Sequence, residues 1–299
     1  MADWKKATAS PTPPATASTA GVLRPDELAR HVELVRRPAG AGIGRWIENH
    51  WSLRWDLPED RWYLSQVLPH PTCSLTVELG SHPRPGLPPG EKVVVTGVVT
   101  RRFDVEVRGW GRVAGVRFRP GGLAALTGRS ASAWTDDLVP ARELLPAELC
   151  RTLGDAVLAS RPEEWAAVAE AGLRMLPAAA DAPDPRYERV TEIVADMLAD
   201  RSLLTVADVA RRHGTTARTL QRLFRHYIGV GPKWVLARYR MHDIVSEIDA
   251  GYTGNLTDLA HRYGWYDQAH FTHDFTTLVG TTPTDYRAEA EANRARTKI

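Results

Sequence analysis

The sequence predicts an α+β protein with a β-barrel or jelly-roll-like N-terminal domain and following helices. Its C-terminal domain is predicted all-α, with two helix-turn-helix subdomains. Three observations predict this. Short β-branched or alternating runs sit between Gly/Pro turns in the first half, helical spacing takes over beyond about residue 140, and the second half contains an internal repeat.

The opening stretch, MADWKKATASPTPPATASTAG, lacks the apolar core of a secretory signal and is rich in Ala, Thr, Pro and Ser. Such a composition buries too little surface to fold, so residues 1–22 are expected to form a disordered arm. Residues 23–140 then carry the strand-like runs. CSLTVEL (73–79) alternates, KVVVTGVV (92–99) is β-branched, and FDVEVRG and VAGVRF follow after further turn residues. HPRPGLPPG (82–90) is a Pro/Gly loop between two of them. Close spacing of several short strands is the pattern of a barrel or jelly roll. ELLPAELCRTLGDAVLA and EEWAAVAEAGLRML place apolar residues at i, i+3, i+4 and i+7, so 141–176 is expected to be a helical connector. Prolines at 177, 183 and 185 predict an extended linker over 177–185, ahead of a helical domain at 186–290 and a tail at 291–299.

LTVADVARRHG (204–214) resembles NLTDLAHRYG (255–264), with Ala210 matching Ala260 at an offset of 50. LQRLF (220–224) matches FTHDF (271–275), and GVGP (229–232) matches GTTP (280–283), both at an offset of 51. Each unit reads as a short helix, a turn at Gly214 or Gly264, and a second helix. A helix-turn-helix lays its second helix in a DNA major groove. In the first unit Thr216 is the expected N-cap, and Ala217, Leu220, Phe224 and Tyr227 form a core stripe. Arg218, Gln221, Arg222 and Arg225 occupy the opposite face. Arg and Gln read guanine and adenine edges bidentately, and Arg also grips phosphate, so this face is assigned to DNA rather than to solvent alone.

The two units differ in charge. From Arg201 to His242 there are nine Lys/Arg and one acid, Asp208, whereas from Asp243 to Glu291 there are two Lys/Arg and nine acids. Phosphate neutralisation dominates affinity for nucleic acid, so the first unit is expected to dominate binding. The cluster Asp267, His270, His273 and Asp274 suggests a metal site at first sight. Aligned with the first unit, however, Phe271 and Phe275 take the core positions, and Ala269, Thr272, His273 and Thr276 take the DNA-side positions. The four ligand candidates are then expected to diverge. Gln268, His270, Thr272 and His273 remain as the polar reach of the second helix.

These residues resemble the AraC/XylS family of bacterial transcription regulators over roughly 186–290. The resemblance rests on VADVARRHGTTARTLQRLFRHYIGVGPKWVLARYR and on LTDLAHRYGWYDQAHFTHDFTTLVGTTPTDYR. It implies seven helices, two helix-turn-helix subdomains joined by a long helix at about 232–249, and recognition helices entering successive major grooves about 34 Å apart. It also implies base contact at Arg218, Gln221 and Arg222. The second unit departs from the family pattern, because Thr272, His273 and Asp274 stand where Ser-Arg and its neighbour are common. A His, with a pKa of about 6.5, replaces a permanent cation there.

The first half, from HWSLRWDLPEDRWYLSQVLPHPTCSLTVELG through VAGVRFRPGGLAALTG, resembles the cupin-like sensor of actinobacterial members of that family. Trp46, Trp51, Trp55, Trp62, Trp110 and Trp134 crowd this region. Trp51, Trp55, Trp62 and Trp110 are the candidate ligand-binding set, against the alternative that these rings pack the core. His50, His70, Cys73 and His82 lack a metal-ligand spacing, so no metal, cofactor or catalytic residue is assigned. RFRPGG (117–122) puts Arg117 and Arg119 beside a Gly turn, which suits an anion, although a structural turn is the favoured reading.

The whole chain of 299 residues is 43% hydrophobic and 25% charged, with a net charge of +2 and two cysteines, Cys73 and Cys150, outside any CxxC pattern. This excludes a disulfide framework and a zinc knuckle, and no apolar run is long enough to span a membrane. The expectation is a cytoplasmic, non-enzymatic, sequence-specific DNA-binding regulator, with the first unit dominating contact and the N-terminal domain sensing a small molecule or partner. Double-stranded DNA is the expected partner, with RNA polymerase added if the protein activates. Homodimerisation stays open. The alternative is a cupin-like metalloenzyme, or a non-catalytic ligand-binding protein, tethered to DNA.

Overall fold

The computed structural model describes residues 22–159, 161–180 and 184–297; the arm expected at 1–22 lies outside them save for Val22. The N-terminal part runs α1 (Pro25–His31), β1 (Glu33–Pro38), β2 (Ile47–Asp56), β3 (Trp62–Val67), β4 (Ser74–Gly80), β5 (Val93–Thr96), β6 (Phe103–Arg108), β7 (Trp110–Phe118), α2 (Gly122–Thr127), β8 (Leu138–Pro140), α3 (Ala147–Ala159) and α4 (Pro162–Arg174). β1-β2-β7-β4-β5-β8 form one antiparallel sheet, while β3 and β6 pair as a second. The four runs expected to be strands are β4 to β7.

Alternation along β4 and β7 sends Leu75, Val77, Ala114, Val116 and Phe118 to one face, and these are buried. That face is covered by α3 and α4 through Leu149, Leu153, Val157, Trp165, Ala169 and Leu173, which share its core. Residues 141–176 are therefore part of the N-terminal core rather than a free connector, because the helices' apolar stripes match the sheet's buried face. The opposite face of the large sheet looks toward β3 and β6 across a cavity.

Instead of an extended linker, 177–180 form a one-turn helix, α5 (Pro177–Ala180), and Pro185 opens α6 (Pro185–Ala199). Both prolines stand at the first helical residue, where a missing N–H leaves no intrahelical bond unmade. The helices continue as α7 (Val206–Arg212), α8 (Ala217–Tyr227), α9 (Pro232–Asp249), α10 (Leu256–Arg262), α11 (Gln268–Val279) and α12 (Pro283–Thr297). α12 runs well into the expected tail. The duplicated units are α7–α8 and α10–α11, and α9 is the long joining helix.

The two parts share their cores. Tyr187, Val190, Leu220, Phe224 and Val235 belong to the same buried cluster as the large sheet. Leu23 and Leu68 from the N-terminal part are buried with Met241 and Ile244 of α9, Phe271 and Phe275 of α11, and Tyr286 of α12. Polar contacts follow the same seam. Thr135 Oγ1 donates to Gly229 O (3.0 Å), Arg102 Nη1 donates to Val279 O (2.8 Å), and Arg24 pairs with Glu289. Gly229 has φ +96°, and a Cβ there would lie 2.4 Å from Thr135 Oγ1 and 3.0 Å from Ala131 O, so this approach needs glycine.

Candidate nucleic-acid interface and inter-sheet cavity

Local sequence chemistry aims the two second helices. Thr216 caps α8 by accepting from Thr219 N at 3.1 Å, and Asp267 caps α11 by accepting from His270 N at 2.7 Å. The preceding turns use Gly214 (φ 55°) and Gly264 (φ 82°) in the left-handed region. Leu220, Phe224 and Tyr227 are buried on the inner face of α8. Ala217, expected in that stripe, is exposed, since it is the first residue of the helix at the edge of the packed face.

On the outer face Arg218, Gln221, Arg222 and Arg225 are all exposed. At i, i+3, i+4 and i+7 they form a single stripe. Among the described residues none of the four is engaged in a hydrogen bond or ion pair. Other cations of the first unit are committed: Arg201 to Asp243, Arg211 to Asp208, Arg212 to Asp196, and Arg240 to the Tyr263 carbonyl. Arg238 is buried. The surplus counted in the sequence thus condenses onto α8, with exposed Lys233 just beyond it.

α11 offers less. Gln268, His270 and His273 are exposed and Thr272 is half-buried. His270 and Asp274 do not diverge as expected: Nε2 lies 3.2 Å from Asp274 Oδ2, one helical turn on. That carboxylate also accepts from Trp265 Nε1 at 2.9 Å, so Asp274 serves to pin the helix to its turn. Among the described residues no three His, Cys, Asp or Glu side chains gather in a metal-binding group. His50 bonds to Glu170 (2.9 Å), His82 to Ser81 (3.1 Å), the His70 ring packs at a tilt against that of His242, and Cys73 is buried in the sheet core. Tyr266, which the sequence reading passed over, is 89% exposed beside the start of α11. An aromatic at a position between a buried Trp and a capping Asp was its only signal.

The second site is a cavity of about 580 Å³ between the two sheets. Trp51 and Trp55 line it, whereas Trp62 (56% exposed) and Trp110 (50% exposed) stand outside. In register Trp51 faces Gly115 and Trp55 faces Gly111. A Cβ on Gly115 would be 2.5 Å from the Trp51 ring, and one on Gly111 1.9 Å from the Trp55 ring. The glycines let the indoles lie along the cavity floor. Trp46 and Trp134 are buried in the main core. Arg36 and Arg117 also line the cavity; Arg119 instead donates to Gly44 O at 2.6 Å. Arg36 was not singled out, though period-2 spacing from Leu34 places it inward.

Residues 67–70 line the cavity and also meet the second unit. Leu68 enters its core, and the His242 ring on α9 lies with Nε2 3.0 Å from Pro69 O and its centroid 4.2 Å from that of His70. Burial, opposed by the Pro69 carbonyl, pushes the His242 pKa down to about 3. A neutral His242 then donates to Pro69 O. An unfolded histidine titrates near 6.5, so this contribution to stability is complete above about pH 6.5 and is lost as pH falls toward about 3. Thermal unfolding from pH 7.5 to 4.5 should show a smaller acid-side loss in His242→Gln than in the wild type. Parallel profiles would contradict a buried neutral ring.

Residues 188–289 match a family model described as a helix-turn-helix domain, the AraC-type one, and residues 36–140 match a domain of unknown function, DUF6597. The C-terminal segment is thus an AraC-type helix-turn-helix domain. The protein is a DNA-binding transcription regulator with an N-terminal sheet domain joined to this helical domain. No curated relative matches the sequence. Among solved structures it is similar to an apo variant of ToxT from Vibrio cholerae strain SCE256, at 12% identity and a TM-score of 0.36 over 84% of this chain and 98% of that one. A 1.65 Å structure of ToxT from Vibrio cholerae gives 12% identity and a TM-score of 0.34 over 86% and 97%. The similarity is remote, and no residue role is carried over from it. No helix among the described residues of this regulator is long and apolar enough to cross a membrane.

Proposed function

We propose that this regulator is a cytoplasmic, non-catalytic, ligand-responsive protein in which α8 supplies most of the DNA contact and the inter-sheet cavity holds the effector. The observation that carries the first part is the uncommitted stripe of Arg218, Gln221, Arg222 and Arg225 on a capped, well-packed helix. Four long donors on one face suit base edges and flanking phosphates. α11, with Gln268, Thr272, His273 and a His270 tied to Asp274, reads fewer features and adds little charge. Residues 67–70 touch both the cavity and the second unit, so an occupant that moves them changes how α9 and α11 are held. That coupling would show as different DNA affinities with and without effector.

Titration of a selected duplex over a range of salt tests the DNA part. The slope of log K against log salt should be steep for the wild type. It should flatten by about 2–3 in an Arg218→Ala/Arg222→Ala/Arg225→Ala variant, at roughly one phosphate-neutralising contact per cation. A Gln268→Ala/His273→Ala variant should keep the slope. A slope untouched by the triple substitution, or metal bound stoichiometrically by a protein that ignores DNA, would overturn the proposal.

A further inference from the structure

The sheet domain meets both duplicated units at the same position of the repeat. Gly229, after α8, and Gly280, after α11, stand 51 residues apart, the offset of the second helices themselves. Both have left-handed backbones, φ +96° and +88°, in the turns that close these helices. Carbonyls that close a helix lack partners within it, and the sheet domain supplies a donor at each end. Thr135 Oγ1 donates to Gly229 O at 3.0 Å, and Arg102 Nη1 donates to Val279 O at 2.8 Å. The guanidinium also meets the negative end of the α11 dipole. Both approaches are close. A Cβ on Gly280 would lie 1.4 Å from Arg102 Nη1, and one on Gly229 2.4 Å from Thr135 Oγ1.

The two donors belong to one support. Arg102 ends the loop between β5 and β6, and Thr135 lies in the segment before β8. Asp136 joins the two segments, accepting from Thr100 N and from Thr100 Oγ1, each at 2.6 Å. Backbone bonds repeat the link: Asp136 N donates to Val98 O (2.9 Å), and Gly97 N donates to Asp137 O (3.0 Å). A Cβ on Gly97 would lie 1.6 Å from Trp134 O, so the segments lie in backbone contact. Asp104 holds the Arg102 fork from the other side, with Nε and Nη2 each 2.6 Å from a carboxylate oxygen. That bidentate pair fixes the direction in which Nη1 points. Gly97, Val99 and Phe103 of the same stretch line the inter-sheet cavity.

Two readers on one duplex bind well only when their separation and tilt match the helical repeat of DNA. The covalent joint between them is α9 with a short turn at either end. We propose that Arg102 and Thr135 are positioning residues, through which one cross-linked part of the sheet domain clamps the carbonyl ends of α8 and α11 and sets their spacing and mutual tilt on DNA. Neither residue needs to touch the duplex. The clamp rests on both helices reading DNA, and it makes the sheet domain the ruler of the site. Because the clamp borders the cavity, one support carries the cavity wall and both helix ends.

Anisotropy titrations of the full-length protein test this on a selected duplex and two derivatives, with one base pair inserted or deleted between the segments protected by the two units. One base pair moves the second segment by about 3.4 Å and turns it by about 36°. The wild type should bind both derivatives at least about tenfold more weakly than the parent duplex. Thr135→Val, Arg102→Ala and Asp136→Gly should each still bind the parent and cut that penalty to about threefold or less. Asp136 touches neither helix, and glycine suits its φ of 59°. Arg102→Lys, which keeps a donor for Val279 O, should restore much of the penalty. Relaxed spacing with binding retained is a gain that misfolding cannot imitate. An undiminished penalty in the three variants, whatever their overall affinity, overturns the clamp and leaves two DNA-reading helices in place. A wild type indifferent to spacing overturns the clamp together with the reading of α11 as a DNA contact.

Discussion

Phe224→Ala is expected to lower global stability by about 3–5 kcal/mol and to remove specific duplex binding in the same step. Phe224 is wholly buried on the inner face of α8. It belongs to the cluster that also contains Leu75, Val116 and Phe118 of the large sheet. The cavity left by the ring therefore opens where the two halves meet, and local repacking of α8 cannot close it from one side. Urea unfolding should show a lower midpoint at unchanged slope, meaning lost stability rather than a different unfolded state. A loss below about 1 kcal/mol, well under the range for a buried Phe, would mean that α8 is not packed as described.

Arg222→Ala should weaken specific DNA binding by about 1–3 kcal/mol with unchanged thermal stability, because the side chain is exposed and holds nothing within the protein. His273→Ala, at the matching position of α11, should cost much less. His273 carries a shorter side chain on a helix whose nearest polar partners are acidic or already engaged. Affinities measured on one duplex at one salt concentration decide the matter. Equal losses from the two substitutions would refute an unequal pair of readers.

Much of the helical half was legible because its signals are local. The repeat spacing, the Thr216 and Asp267 caps, and the Gly214 and Gly264 turns are each set within a few residues of chain. The same holds for β4 to β7, whose alternation or β-branching survives without knowledge of partners. What stayed hidden depends on register or on contacts from afar. Trp51 and Trp55 were indistinguishable from Trp62 and Trp110 until pairing placed the first two across Gly115 and Gly111. β1, with Arg36 and Arg37 in ELVRRP, does not look like a cavity wall. Nor does composition reveal that α3 and α4 close the sheet core, or that 177–180 turn helical because Pro177 stands where a proline does no harm. His270 and Asp274 were expected to diverge from comparison with α8. The comparison failed because Asp274 replaces an apolar neighbour and turns toward Trp265 Nε1.

Leu23 and Leu68 have a consequence for how such proteins are assembled from parts. Both are buried against α9, α11 and α12, so the second DNA-reading unit is finished by side chains belonging to the other half of the chain. Each buried leucine is worth roughly 1.5–3 kcal/mol relative to exposure. A helical half grafted onto a foreign sensor would present a two-leucine socket in place of a closed surface. Only sensors bringing apolar plugs at the same two places would restore it. The seam thus acts as a compatibility code, limiting which sensors and readers can be exchanged within a common architecture.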